Sequence, residues 1–250
     1  GSPTGITFGY GTHFPEKYQQ ALFACDWSWG RIFVSWLNPA GASYTATTEE
    51  FMTGIPFPIA DLIVNPFDGA MYFVLGGRGT TSGLYQIRYV GADMETDEIP
   101  VDTSAISARE ERQQLELLIN SGSDDEISAA WPYLSNDDRV LRHTARVILE
   151  HVPTAAWQDR ALGEPQPLAR MTALLALARA GDDKDLPDML SSLLELDWNA
   201  FNQEEQLLGL RCLEVAFIRM GSPNTLTVQS PETKRLTRLL ESQFPVEDTR

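Results

Sequence analysis

Cysteine is scarce in this chain. There are two, Cys25 and Cys212, one in each half. They read as separate buried thiols rather than a disulfide, and two are too few to indicate a redox compartment. No C-x-x-C-H occurs, so the chain has no covalent haem site. No stretch approaches the roughly 18 consecutive apolar residues that a membrane helix needs. There is no N-x-S/T sequon, no Ser-centred nucleophile elbow and no H-E-x-x-H. No secretory signal opens the chain, and Gly1-Ser2 reads as the scar of tag removal. Positive charge is the other shortage. Lys and Arg together number 19 against 35 Asp and Glu, a net charge of −16 spread over both halves. Such a chain repels a phosphate backbone and an anionic bilayer, which excludes nucleic acid and charged membrane surfaces as expected partners.

Histidine is equally sparse. His13, His143 and His151 are scattered, and the last two are eight residues apart on one helical stretch. They lie two turns apart and cannot share a metal as an i, i+4 pair would. Asp182-Asp183-Lys184-Asp185 lacks the glycine and distant glutamate of a calcium loop and reads as a solvated helix start. Gly9-Tyr10-Gly11 lacks the third glycine and the helix of a dinucleotide fingerprint. No metal site is expected.

What is present falls into two periods. Up to residue 91 the chain is rich in Phe, Tyr, Trp, Ile and Val in short runs between turn residues. Seven strands are predicted, at 6–9, 21–26, 31–37, 43–52, 59–65, 70–75 and 84–90. Pro39-Ala40-Gly41, Gly54-Ile55-Pro56, Asp68-Gly69 and Gly76-Gly77-Arg78-Gly79 supply turns. Residues 92–106, acidic and interrupted by Pro100, read as a linker. From 107 to 250 the period is helical. Ser107 with Glu110 and Ser123 with Glu126 fit capping boxes, Ser230-Pro231 fits a helix start, and Gly122, Gly181 and Gly221 sit where helices stop. Leu141, Ala145, Ile148, Leu149 and Val152 make one apolar face, with Arg142, Arg146 and Glu150 on its wet side. Leu210, Leu213, Phe217 and Met220 make another. A weak repeat lays the segment around Arg142 on that around Arg170, with Arg211 in a similar helix. It is what HEAT-type stacked helix pairs would leave in a sequence; the alternative is an irregular helical domain.

Propeller blades carry four strands in about 40–45 residues. Seven strands make one whole blade and three strands of the next, and a propeller needs at least four blades to close. The expected fold class is therefore α+β in two segments: a partial antiparallel β-propeller of about two terminal blades over 1–91, then an α-helical HEAT-like domain over 107–250. The remaining blades would lie upstream, or a partner chain would cover the open sheet edge, which is an association risk. A self-sufficient seven-stranded sandwich is the rival. In the blade arrangement Asp26-Trp27-Ser28-Trp29-Gly30 and Gly76-Gly77-Arg78-Gly79-Thr80-Thr81 are equivalent loops on neighbouring blades. They would emerge at one end and bring Asp26, Trp27, Trp29 and Arg78 together. An arginine there could hold a carboxylate through paired hydrogen bonds, and an indole could stack on a flat ring or a sugar. The structural alternative is that Asp26 caps its turn, the tryptophans pack between blades and Arg78 pairs with Asp61 or Asp26.

Several segments carry a resemblance: Phe8-Gly9, Phe14-Pro15, Tyr18-Gln19-Gln20-Ala21-Leu22-Phe23, Cys25-Asp26-Trp27-Ser28 and Gly30-Arg31. So do Asp68-Gly69-Ala70-Met71-Tyr72-Phe73, Gly76-Gly77-Arg78-Gly79-Thr80 and Ser82-Gly83-Leu84-Tyr85. Together they resemble the large sorbosone/glucose-dehydrogenase-like propeller proteins of planctomycetes and related bacteria, over about residues 3–91 well and over the helical half loosely. The resemblance implies a periplasmic or secreted oxidoreductase acting on a sugar or polyol. It implies a quinone (PQQ-like) cofactor in the parent protein, near a face formed by Arg78, Asp26, Trp27, Trp29 and Asp61. The c-type cytochrome domain common in that family is absent from this chain. The chain alone is expected to hold no cofactor and to lack a complete active site; the alternative is a non-catalytic carbohydrate- or protein-binding scaffold.

Overall fold

Strand-forming runs and short turns build the first part of the chain. In the computed structural model, which describes residues 1–77, 79–91, 104–119, 121, 125–221 and 231–243, β1 (Pro3–Phe8), β2 (Leu22–Asp26), β3 (Arg31–Ala40) and β4 (Ser43–Thr53) form one antiparallel sheet in the order β1-β2-β3-β4. A second contains β5 (Ile59–Asn65), β6 (Ala70–Leu75) and β7 (Gly83–Ile87) in the order β5-β6-β7. A one-turn helix, α1 (Glu16–Gln19), lies between β1 and β2. The molecule is α+β with two small antiparallel sheets, and it divides into two units, Gly1–Ala105 and Ile106–Arg250.

The predicted strands are present, with shifted ends. β1 starts earlier than expected because Pro3 pairs with Asp26 across an irregularity before Ile6. Gly5 sits in that irregularity, where β1 meets β5. A Cβ there would lie 2.5 Å from Asp61 Oδ1 and 2.8 Å from its Cα, so only a glycine allows the two strands to come this close.

The two sheets share one core. The first contributes Phe23, Cys25, Ile32 and Val34, and the second Ile59, Leu62, Met71 and Phe73. Phe51 closes the aromatic end, its ring centroid 5.0 Å from that of Phe23. The register makes the sheets comparable residue by residue. Phe8, Thr7 and Ile6 pair with Leu22, Phe23 and Ala24, as Val64, Ile63 and Leu62 pair with Met71, Tyr72 and Phe73. Leu22–Asp26 pairs with β3 over five residues, as 71–75 pairs with β7. Leu22 therefore corresponds to Met71, and burial then inverts. Phe23 and Cys25 are buried where Tyr72 and Val74 are not, and Met71 and Phe73 are buried where Leu22 and Ala24 are half-exposed. The sheets pack through opposite faces of equivalent strands.

α2 (Ser104–Leu118) starts at the unit boundary, and the second unit continues with α3 (Glu126–Ala130) running into a 3-10 turn (Trp131–Ser135), α4 (Arg139–His151), α5 (Gln158–Leu162), α6 (Pro167–Ala180), α7 (Leu186–Leu194), α8 (Gln203–Arg219) and α9 (Pro231–Gln243). Of the expected linker, 92–103 lies outside the described residues, and 104–106 are already helical, with Ala105 buried. α4 packs on α6 and α6 on α8, while α5 contacts α7 and α7 contacts α9. Leu141, Ala145, Ile148 and Leu149 are buried along α4 as the periodicity predicts. Each large apolar side chain so covered contributes about 1.5–3 kcal/mol. α6 is enclosed more completely: Met171, Leu174 and Leu177 are fully buried among small alanines.

Helix starts departed in detail. Ser107 lies inside α2 and its hydroxyl meets Glu111 at 3.4 Å, because the helix begins a turn earlier. Gly122, Ser123 and Ser230 lie outside the described residues. Among the described residues capping boxes form at Asn202 with Glu205 and at Asp182 with Asp185. Gly181 follows α6, and Gly221 lies just past the cap of α8, as predicted.

Candidate functional site

The loops that the strand order places together do meet. Trp27, at the β2–β3 turn, donates its indole N–H to the Gly76 carbonyl at the end of β6, at 2.9 Å. Its ring lies against Gly77, whose φ is 112° and where a Cβ would come within 3.1 Å of the indole. A side chain at position 77 is disfavoured twice, by backbone angle and by contact. Thr80 reaches back to the Gly77 carbonyl with its amide at 3.1 Å and its hydroxyl at 2.6 Å. Arg78, the predicted anion-holding residue between Gly77 and Gly79, lies outside the described residues.

Asp26 caps its turn. Its Oδ1 accepts the amides of Ser2 at 3.1 Å, Ser28 at 3.0 Å and Trp29 at 3.1 Å. Desolvation works to raise its pKa, but those three amides and the positive amino terminus outweigh it and hold the carboxyl below its usual range. Trp29 leaves 64% of its surface in solvent, with the Arg31 guanidinium 5.9 Å from its ring and Arg31 paired to Glu50 at 3.0 Å. It does not pack between the sheets. Asp61 is engaged where β1 meets β5: its Oδ1 accepts the Leu62 amide at 2.8 Å, beside Gly5. The site thus unites the Trp27 turn with the Gly76-Gly77 segment, while Asp61 serves the strand crossing.

The opposite end of the sheets holds a cluster that sequence reasoning missed. Asp68 Oδ1 accepts the Ala70 amide at 3.0 Å. Its Oδ2 accepts the Tyr72 hydroxyl at 2.7 Å, the Gln86 amide at 3.2 Å and the Arg88 guanidinium at 3.2 Å. Gln86 also bonds the Tyr72 hydroxyl. The Tyr72 bond first, then the Ala70 amide and Arg88, hold the Asp68 carboxyl below its ordinary value. The signal was available: Asp68-Gly69 with a tyrosine four residues on, and Gln86 and Arg88 alternating along the partner strand. At the same end His13 donates its amide to the Gly69 carbonyl at 2.8 Å and lays its ring over that glycine. The two sheets are therefore latched at both ends, by Trp27 and by His13.

In the helical unit, the repeated arginines do equivalent work. Arg142 Nη1 donates to the Asn136 carbonyl at 2.6 Å, and Arg170 Nε to the Glu164 carbonyl at 2.5 Å, each six residues back across the turn that starts its helix. Arg211 instead pairs with Glu214 at 2.6 Å on the surface. Arg146 corrects the expectation of a wet side on α4. It is buried, bonded to Glu150, and Glu150 also takes Arg179 of α6 at 2.8 Å, because α6 covers that side. Burial first, then Arg146 and Arg179, lower the pKa of His143.

Neither thiol suits chemistry. Burial pushes Cys25 up to about 11 and Cys212 up to about 12, far from a reactive thiolate. Among the described residues no group of three His, Cys, Asp or Glu is placed to hold a metal ion, and no helix is long and apolar enough to cross a membrane. No family model, curated protein or solved structure matches this chain.

Proposed function

We propose that the chain is the propeller and helical-repeat part of a quinone-dependent sugar or polyol dehydrogenase-like protein, and that by itself it is a binding scaffold rather than a catalyst. In this reading residues 1–91 are about two blades of an antiparallel β-propeller and 107–250 a HEAT-like stack, in a periplasmic or secreted setting. The observation that carries the blade reading is the inverted burial of equivalent strands, with β5 set against β1 and β2. A sheet that gives one face to its successor and keeps the other for its predecessor is a repeating unit. Helical repetition is supported by Arg142 and Arg170, which make the same turn contact 28 residues apart.

The scaffold half of the proposal rests on how the site residues are engaged. The Asp26 carboxylate is held by three amides and the Trp27 indole by the Gly76 carbonyl. All three amides bind Oδ1, and a carboxyl held below its usual range is a weak general base. Trp29 keeps exposed ring surface that a sugar or a flat cofactor ring would stack on, and Arg78 is the residue whose type suits a carboxylate. The test is dye-linked oxidation of aldoses and polyols with added quinone, alongside tryptophan-fluorescence titration with the same compounds. The expected result is no turnover above the protein-free blank, with saturable quenching that Trp29→Ala and Arg78→Ala weaken. Turnover by this chain would overturn the scaffold reading, and no binding of quinone or sugar would overturn the dehydrogenase relation.

A further inference from the structure

Among the described residues of the β unit, the outer face of each sheet carries exposed apolar side chains, and the two faces are related. On the covered face of the first sheet stand Cys25 and Ile32, cross-strand partners. The equivalent partners on the second sheet are Val74 and Leu84, which are 37% and 69% exposed. On the covered face of the second sheet Leu62 pairs with Phe73. Their equivalents on the first sheet are Ile6, 65% exposed, and Ala24. At these positions the bare face of each sheet repeats, in apolar character and register, the face by which the other is bound. Ile63, next to this set on β5, adds 59% of its surface. The match weakens at Gln86, which stands where the first sheet has Val34, and at Ser35 and Asp26, which stand where the second has Ile87 and Leu75. The Gln86 amide is already bonded to Asp68 and Tyr72, so covering it leaves no orphan donor there.

We propose that the bare face of the second sheet docks the bare face of the first sheet of a second copy, head to tail, repeating the packing found inside the chain. The proposal rests on the blade reading above but not on its dehydrogenase chemistry. The interior interface fixes what fits: a twisted antiparallel sheet presenting a branched aliphatic and a small or aromatic residue in cross-strand register. Such a contact is heterologous, using two different patches, so it can continue into a ring or a chain. The net charge of −16 opposes association through general repulsion, so added salt should strengthen it.

Sedimentation velocity of the whole chain over a range of concentrations, at low and high salt, tests this. Association rising with concentration and with salt is expected. Leu84→Glu and Ile63→Lys block one face and Ile6→Glu the other. All three positions are exposed, and circular dichroism checks that the variants fold. Each variant alone should lose association by about tenfold or more, as hot-spot changes at an interface do. An equimolar mixture of Leu84→Glu with Ile6→Glu should recover a complex that stops at two chains, since each supplies the face the other lacks. A wild-type chain that stays monomeric would overturn the proposal, and so would a single-face variant that associates as wild type does. Oxidation and ligand titration are separate readouts, so either result leaves the dehydrogenase reading to its own test.

Discussion

The β unit and the helical unit are held together by different means. In the helical unit the centre is closed by its own neighbours: α6 is surrounded by α4, α5, α7 and α8 and buries Met171, Leu174 and Leu177 completely. Arginines then fix the turns. In the β unit the shared core lies on one side of each sheet. The ends are fixed by latches to backbone carbonyls, Trp27 on Gly76 and His13 on Gly69. Its other two faces keep Ile6, Ile63 and Leu84 in solvent. The difference teaches that side-chain interlock saturates the helical interior, whereas each sheet buries one face and keeps apolar side chains in solvent on the other.

The sharpest way to break this comparison is to hollow out the enclosed helix. Leu177→Ala should lower stability by about 2–5 kcal/mol in urea unfolding followed by helical circular dichroism. A loss below about 1 kcal/mol would mean that α6 is not the enclosed centre described. Next come the repeated arginines. Arg142→Ala and Arg170→Ala should each cost about 1.5–3 kcal/mol, the range for hydrogen bonds from a charged group. Arg211→Ala, which removes an exposed pair, should cost less than about 0.5 kcal/mol. Equal effects at all three positions would dissolve the repeat. In the β unit Gly77→Ala should cost about 1–2 kcal/mol through left-handed strain and the indole contact, read by thermal denaturation at a β-sheet wavelength.

The smallest effect is the acid limb. The folded carboxyl of Asp68 is held below its usual range by Tyr72, Ala70 and Arg88. Its contribution is therefore complete above the unfolded value of about 3.9 and is lost as pH falls through the lower folded value. Urea midpoints of Asp68→Asn between mildly acidic and strongly acidic pH should fall less steeply than those of wild type. Equal slopes would mean that the Asp68 cluster adds no proton-linked stability.

Much of the fold was legible because its signals are local. Ile59–Asn65 and Ala70–Leu75 are bounded by turn residues on both sides and have the predicted limits. β1 starts three residues earlier than predicted because its pairing depends on Asp26 and β5, which lie far along the chain. The wet reading of Arg146 failed for a similar reason: a helical period shows an axis of polarity but not which neighbour covers the polar side. At the candidate site, loop proximity followed from strand order alone. The engagement of Trp27 with a carbonyl 49 residues away is a tertiary event with no local signature. The Asp68 cluster was visible only as a turn, because Gln86 and Arg88 join it across the sheet.

The central claim is that equivalent strands of the two sheets pack through opposite faces. Methyl-resolved nuclear Overhauser spectroscopy measures this directly. The Met71 methyl should show contacts to the set Phe23, Ile32 and Val34 and none to Ile6 or Phe33. Contacts from Met71 to Ile6 and Phe33 in place of that set would contradict it.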